Sequence, residues 1–203
     1  MKKSTQIILA GTVAIIAALA GVLFARLSDP PPPVLTSGTW LPAARPTPAF
    51  TLLNQQGQAV NATFFQGQPA LVFFGFSNCP DVCPTTLALL ATVRRQSLLK
   101  PLKIVMVTVD PERDQPRQLQ RYLQAFDPDF AGLTGEPAEL NKLTKAWSAA
   151  AARQDLPGGD YTMDHSATVY LLDNQGRLVT VFTPPLALDK MVQDLNSLRN
   201  RLD

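Results

Sequence analysis

Sulfur and imidazole are scarce in this chain: two cysteines and one histidine among 203 residues. Two cysteines exclude a disulfide-dense scaffold, a four-cysteine zinc site and an iron–sulfur cluster held wholly by cysteine. One histidine excludes sites built from several imidazoles. Charge is also low, at 17% of residues, against roughly 25% in an average soluble protein. There is no internal repeat, no phosphate-binding glycine loop and no Gly-x-Ser-x-Gly elbow, which leaves dinucleotide-binding and serine-hydrolase readings without support. Soft-metal or redox chemistry here must use Cys79, Cys83 and His165.

The formal net charge is +2, yet Lys2, Lys3 and Arg26 are the only charged side chains in the first 26 residues. The rest of the chain is therefore close to neutral. A basic protein that binds nucleic acid carries its charge on one folded face; here the excess sits at the N-terminus, so no nucleic acid is expected as a partner. Ile7 to Ala25 contains no charged side chain, and about 20 apolar residues span a bilayer core. Ala18-Leu19-Ala20 has the small-x-small form of a signal-peptide cleavage site. The apolar run nevertheless continues through Gly21-Val22-Leu23-Phe24, which favours a retained single-pass anchor over residues 1–26. No cysteine follows it, so a lipidated N-terminus is not expected. Lys2 and Lys3 before the run, against Arg26 after it, place the N-terminus in the cytoplasm and the rest in the periplasm or exterior.

Residues 27–49 carry seven prolines, Pro30 to Pro33 consecutively. The expectation is an extended linker in polyproline II conformation that holds a domain of residues 50–203 off the membrane. Within that domain, Ala70 to Phe76 and Ile104 to Val109 are continuous apolar runs, the pattern of strands covered on both faces. Ala167 to Leu172 and Leu178 to Phe182 flank Asp173-Asn174-Gln175-Gly176 and predict a β-hairpin. Helices are expected over Thr85–Leu99, Gln115–Phe126, Ala138–Ala152 and Leu188–Leu202, and an edge strand over Phe50–Leu53. The order implies an α/β fold, with a mixed central sheet flanked by helices.

Both cysteines lie where the first buried strand gives way to a helix, in Ser77-Asn78-Cys79-Pro80-Asp81-Val82-Cys83-Pro84. Open α/β sheets place ligands at such strand ends. The helix N-terminus carries partial positive charge, which is expected to lower the thiol pKa. Three intervening residues allow the sulfurs either to form a disulfide or to face one ion. His165 precedes a predicted strand, which can bring it to the same sheet edge. Two thiolates and one imidazole suit copper over zinc, with Asp81, Asp110, Asp164, water or Met163 as candidate further donors.

Phe73 to Thr86, reading FFGFSNCPDVCPTT, closely resembles the signature of the Sco/SenC copper-binding proteins, membrane-anchored thioredoxin-fold factors for assembling cytochrome c oxidase. The resemblance continues in Val107 to Asp114 and in Asp164-His165-Ser166-Ala167. It implies a thioredoxin-like domain in which Cys79, Cys83 and His165 bind Cu(I) or Cu(II), one per chain. It also implies a role in metallating the dinuclear copper centre of oxidase subunit II or another copper protein, with copper received from a donor chaperone. Ser77-Asn78 stands where the family often has Thr-His, which removes a nearby imidazole but no expected ligand.

Two rivals remain. A thiol–disulfide oxidoreductase of thioredoxin type usually carries Cys-x-x-Cys, one residue shorter than this motif, and gains nothing obvious from His165. A peroxiredoxin needs Pro and Thr at positions held here by Phe76 and Pro80.

Overall fold

The computed structural model describes residues 31–202 together with Ala17 and Ala20. The expected anchor, Ile7 to Ala25, otherwise lies outside the described residues, and among those described no helix is long and apolar enough to cross a membrane. Pro33–Asp203 makes up one unit. Its described elements are β1 (Gly38–Pro46), β2 (Leu52–Asn54), β3 (Ala59–Val60), β4 (Ala70–Gly75), α1 (Val82–Gln96), β5 (Lys103–Thr108), α2 (Pro116–Gln124), β6 (Ala131–Thr134), α3 (Pro137–Trp147), β7 (Ala151–Asp155), β8 (Tyr161–His165), β9 (Val169–Leu172), β10 (Arg177–Phe182) and α4 (Leu188–Leu198).

Eight strands form one sheet in the order β1-β10-β9-β4-β5-β6-β2-β3, and β7 with β8 forms a separate hairpin. Neighbours β4, β5 and β6 run parallel, while β9 lies antiparallel on the other side of β4. Every residue of β4 is buried, as is all of β5 except Lys103. That double-sided burial is what their unbroken apolar sequences predict. Helix α1 buries Cys83, Thr86, Leu87, Leu90, Ala91 and Val93, a three-and-four spacing that lays one face on the core. Proline in the first turn starts both α2 and α3, where its missing N–H is not needed. The predicted β9–β10 hairpin is present, closed by the Gly176 N–H donating to the Asp173 carbonyl at 3.0 Å.

The linker expectation fails over residues 38–46, which form β1, antiparallel to β10. An outer strand tolerates Pro42 and Pro46 because a missing N–H on its free side breaks no ladder; the pairing itself shifts register between Trp40 and Arg45. Asp194 of α4 fixes the start of this strand. Its carboxylate, 1% exposed, accepts the backbone N–H groups of Thr36, Ser37 and Gly38 at 2.7, 2.9 and 2.8 Å and both intervening hydroxyls. The folded domain thus begins well before residue 50.

Helix α3 also ends earlier than expected. Ser148 adopts a left-handed conformation with φ 56°, and its N–H donates to the Lys145 carbonyl. The alanines that follow continue as β7, paired with β8 from Ala151↔His165 to Asp155↔Tyr161. The Phe50–Leu53 prediction is displaced to Leu52–Asn54, which lies between β3 and β6 and not at the sheet edge.

Candidate metal centre

The cysteine loop leaves the C-terminal end of β4 and enters α1. Cys79 donates its N–H to the Phe76 carbonyl at 3.3 Å, closing a turn, and its sulfur accepts the N–H of Cys83 at 3.3 Å. Cys83 sits in the first turn of α1 and is fully buried, whereas Cys79 is half-exposed. Both thiols are free. His165 closes β8 and is separated by three residues from β9, whose Val169 pairs with Phe73 of β4. The expected meeting of the two segments at one sheet edge is therefore present.

His165 Nε2 lies 3.3 Å from Cys83 Sγ, and the three donor atoms all lie within 4.8 Å of one another. The other ring nitrogen, Nδ1, is 3.2 Å from the Ser166 carbonyl. A carbonyl only accepts, so the hydrogen-bond network assigns the proton to Nδ1 and leaves the Nε2 lone pair facing the sulfurs. Burial lowers the His165 pKa and so favours the neutral ring. Phe73 and Phe76 pack edge-on against it, with centroids 5.8 and 5.7 Å away, and so limit its rotation. No carboxylate among the described residues belongs to the group. Asp110 instead accepts from Tyr161 Oη at 2.8 Å and pairs with Arg113, while Met163 packs against the core.

The expected acidity of the helix N-terminus does not govern Cys83. Burial pushes this thiol well above its ordinary pKa: removal from water penalises the thiolate more than the helix end favours it. A bound cation reverses that balance, because metal coordination deprotonates a thiol outright.

Two supports of the site are not visible in its sequence. The fully buried Asp114 accepts the Ser77 N–H at 3.1 Å, the Ser77 hydroxyl, and the Thr108 hydroxyl at 2.6 Å. It thereby ties the cysteine loop to the end of β5. Burial raises the Asp114 pKa against the opposing effect of these bonds. The second support is Tyr161 at the head of β8, stacked between the guanidinium groups of Arg113 and Arg153 at 3.8 and 3.7 Å. Arg113 also donates to the Tyr161 carbonyl at 3.0 Å. The Asp110-Arg113 segment therefore fastens the hairpin that carries His165. Asp114 lay within a motif already singled out, but no spacing rule links it to a serine 37 residues earlier.

The donor chemistry fits a soft ion. A metal–thiolate bond of about 2.3 Å lets one ion touch donors about 4.6 Å apart, close to the observed spread. Fold and site together define a thioredoxin-like α/β protein with two thiols and one imidazole converging at the end of a central strand. The chain belongs to the SCO1/SenC family, whose profile matches residues 41–200. It is 36% identical over 139 residues to an SCO2-like protein of Rickettsia prowazekii (strain Madrid E), covering 66% of this chain and 67% of that protein. The structure of Bradyrhizobium japonicum ScoI with copper bound superposes with a TM-score of 0.67 and 39% identity, over 73% of this chain and 96% of that one. Apo Sco1 from Thermus thermophilus gives a TM-score of 0.70 and 38% identity, over 79% and 95% of the two chains.

Proposed function

We propose that this protein is a membrane-anchored copper carrier that binds one copper ion, as Cu(I) or Cu(II), through Cys79, Cys83 and His165. Its anchor is the apolar segment Ile7 to Ala25, and its folded domain faces the periplasm or exterior. The observation that carries the reading is the convergence of both cysteines and the one histidine within 4.8 Å, in a family whose Bradyrhizobium japonicum member has been solved with copper bound. Copper is cargo here, delivered to the dinuclear copper centre of cytochrome c oxidase subunit II or a similar copper protein.

The chain's own residues divide the work. Cys83 holds the ion from the buried side. Cys79 and His165, both half-exposed, are the donors an acceptor's ligands displace first. Asp114 keeps the cysteine loop in place, and the Ser166 carbonyl keeps Nε2 available. Exchange of this kind needs no electron transfer, since each leaving donor is replaced by one from the acceptor.

The free thiols also favour thiol–disulfide exchange as a companion activity. Cys79 is the reachable sulfur and accepts the Cys83 N–H. Attack of the Cys79 thiolate on a partner disulfide forms a mixed disulfide; Cys83 then displaces the partner's second thiolate and leaves Cys79–Cys83 oxidised. That oxidation removes both thiolates from copper, so one pair of residues serves either role but not both at once.

Copper titration of the full chain in non-ionic detergent, with thiols reduced, tests the carrier reading. The expected result is one copper per chain with thiolate-to-Cu(II) charge-transfer absorption, and weaker binding with an altered spectrum in His165→Ala. Wild-type affinity and spectrum in His165→Ala would sink the three-donor site. Reduction of a model disulfide by His165→Ala at the wild-type rate would show that the imidazole serves metal and not exchange. For the anchor, the intact mass of membrane-extracted protein distinguishes a retained N-terminus from one cut near Gly21.

A further inference from the structure

The parallel strands β4, β5 and β6 begin at Ala70, Lys103 and Ala131, at the sheet edge opposite the one the cysteine loop leaves. A cavity of about 480 Å³ lies at that edge, lined by four cations, Arg94, Arg95, Lys100 and Lys103, and by one acid, Asp129. Arg94 is neutralised in place: it donates to Asp127 at 2.7 Å and to Asp129 at 2.8 Å, and these three groups together leave one negative charge. The other three cations have no carboxylate partner among the described residues. Arg95 donates one N–H to the Thr92 hydroxyl at 2.8 Å, which leaves most of its donor fork open. Lys103 donates to the Phe64 carbonyl at 2.6 Å and lies 4.5 Å from the centroid of that residue's ring. Burial lowers the Lys103 pKa, the mark of an ammonium partly removed from water with no counter-charge beside it.

We propose that this cavity is a binding site for a phosphate-bearing anion, a phosphomonoester or phosphodiester group held by Arg95, Lys100 and Lys103. A guanidinium fork and two ammonium groups present many donors and no acceptor, which matches phosphate oxygens. Three cations against one residual negative charge attract an anion but suit a neutral ligand poorly. The volume falls in the range of small-molecule sites, about 300–1,000 Å³, and leaves room for the organic remainder of an ester beyond a bare ion. Its place at the far edge of the sheet lets the protein hold such an anion while the thiol–imidazole edge meets another protein.

Free phosphate compounds and phospholipid headgroups share this chemistry, and a titration separates them. The full chain in non-ionic detergent is titrated at low ionic strength with inorganic phosphate, and separately with dihexanoyl phosphatidylglycerol below its micellar concentration. Amide chemical shifts report binding. Saturable shifts confined to the cavity are expected, weakened by added salt. Lys100→Glu and Arg95→Glu, both at exposed positions, should each weaken binding about tenfold. Arg121→Glu on α2 serves as a control for net charge and should bind as wild type does after correction for that charge. Thermal unfolding midpoints show whether the variants stay folded. Saturation by inorganic phosphate alone assigns the site to free phosphate or phosphomonoesters, by the lipid alone to a headgroup, and by both to the phosphate group itself. Failure of both probes to saturate, or unchanged binding in Lys100→Glu and Arg95→Glu, overturns the proposal.

Discussion

Gly75 ends β4 directly beneath the thiol–imidazole cluster, and a single methyl group there tests whether the cluster is held by packing. A Cβ at this position would lie 2.5 Å from the Phe73 ring and 3.0 Å from Cys83 Sγ. Both neighbours are fully buried, so neither can swing into solvent. The Phe73 ring must move against His165, on which it packs edge-on, and the Cys83 sulfur must give by several tenths of an ångström. Overpacking of this kind costs about 1–3 kcal/mol, or about 2–4 °C in unfolding midpoint per kcal/mol for a domain of this size. Displacing one donor and the ring that limits a second should weaken copper about tenfold, equivalent to about 1.4 kcal/mol. Gly132→Ala separates the two effects. Its Cβ would meet Leu123 at 2.8 Å and Leu119 at 3.2 Å, also crowded but between β6 and α2, away from the donors. The assay pairs thermal unfolding with competitive copper titration. Gly75→Ala should lose both stability and affinity, and Gly132→Ala only stability. Equal copper affinity in the two variants would show that packing at Gly75 does not hold the donors, because stability alone would then account for the result.

Two other perturbations reach the supports of the fold. Arg113→Ala removes one of the two guanidinium groups stacked on Tyr161 and leaves Asp110 without its cationic partner; hydrogen exchange should quicken across 151–165 while β4 and β5 stay protected, with about 2–3 kcal/mol lost. Unchanged exchange in that hairpin would mean that Arg113 does not fasten it. At Asp194, burial raises the pKa, but bonds from the backbone of Thr36, Gly38 and Ser37 and from the Thr36 hydroxyl outweigh it and hold the carboxyl below its ordinary value. A depressed folded pKa contributes stability that is fully present above about pH 4, the unfolded value, and is lost as pH falls through the folded value. Denaturant unfolding should therefore show wild type losing more stability than Asp194→Asn below about pH 4. Asp194→Asn itself should be less stable near neutrality by about 2 kcal/mol or more, and parallel acid limbs for the two proteins would contradict this assignment.

Legibility in the sequence followed the range of the interactions. Strands β4 and β5 were readable as the runs Ala70 to Phe76 and Ile104 to Val109, because burial on both faces demands a continuous apolar run, a local signal. The β9–β10 hairpin was readable because its turn chemistry lies within four residues. β1 was not, since its prolines signal a linker unless the strand lies at an edge. The β7–β8 hairpin was hidden by an alanine run that continues the preceding helical pattern until Ser148 turns the chain. Ser77 with Asp114, and Thr36 with Asp194, meet across 37 and 158 residues, distances at which no spacing rule operates.

The sequence alone narrows the candidate donors, because with two cysteines and one histidine the other soft ligand type available is methionine sulfur. It also determined the strand-to-helix setting of the cysteines, through local hydrophobic pattern and a proline in the first helical turn. That His165 reaches Cys83 follows from long-range packing, since the contact depends on β9 pairing with β4 and on a hairpin held by Arg113 and Tyr161. The tertiary structure alone decided the character of Cys83. A helix N-terminus favours thiolate wherever it occurs, but the burial that outweighs it comes from the packing of many distant residues around one sulfur.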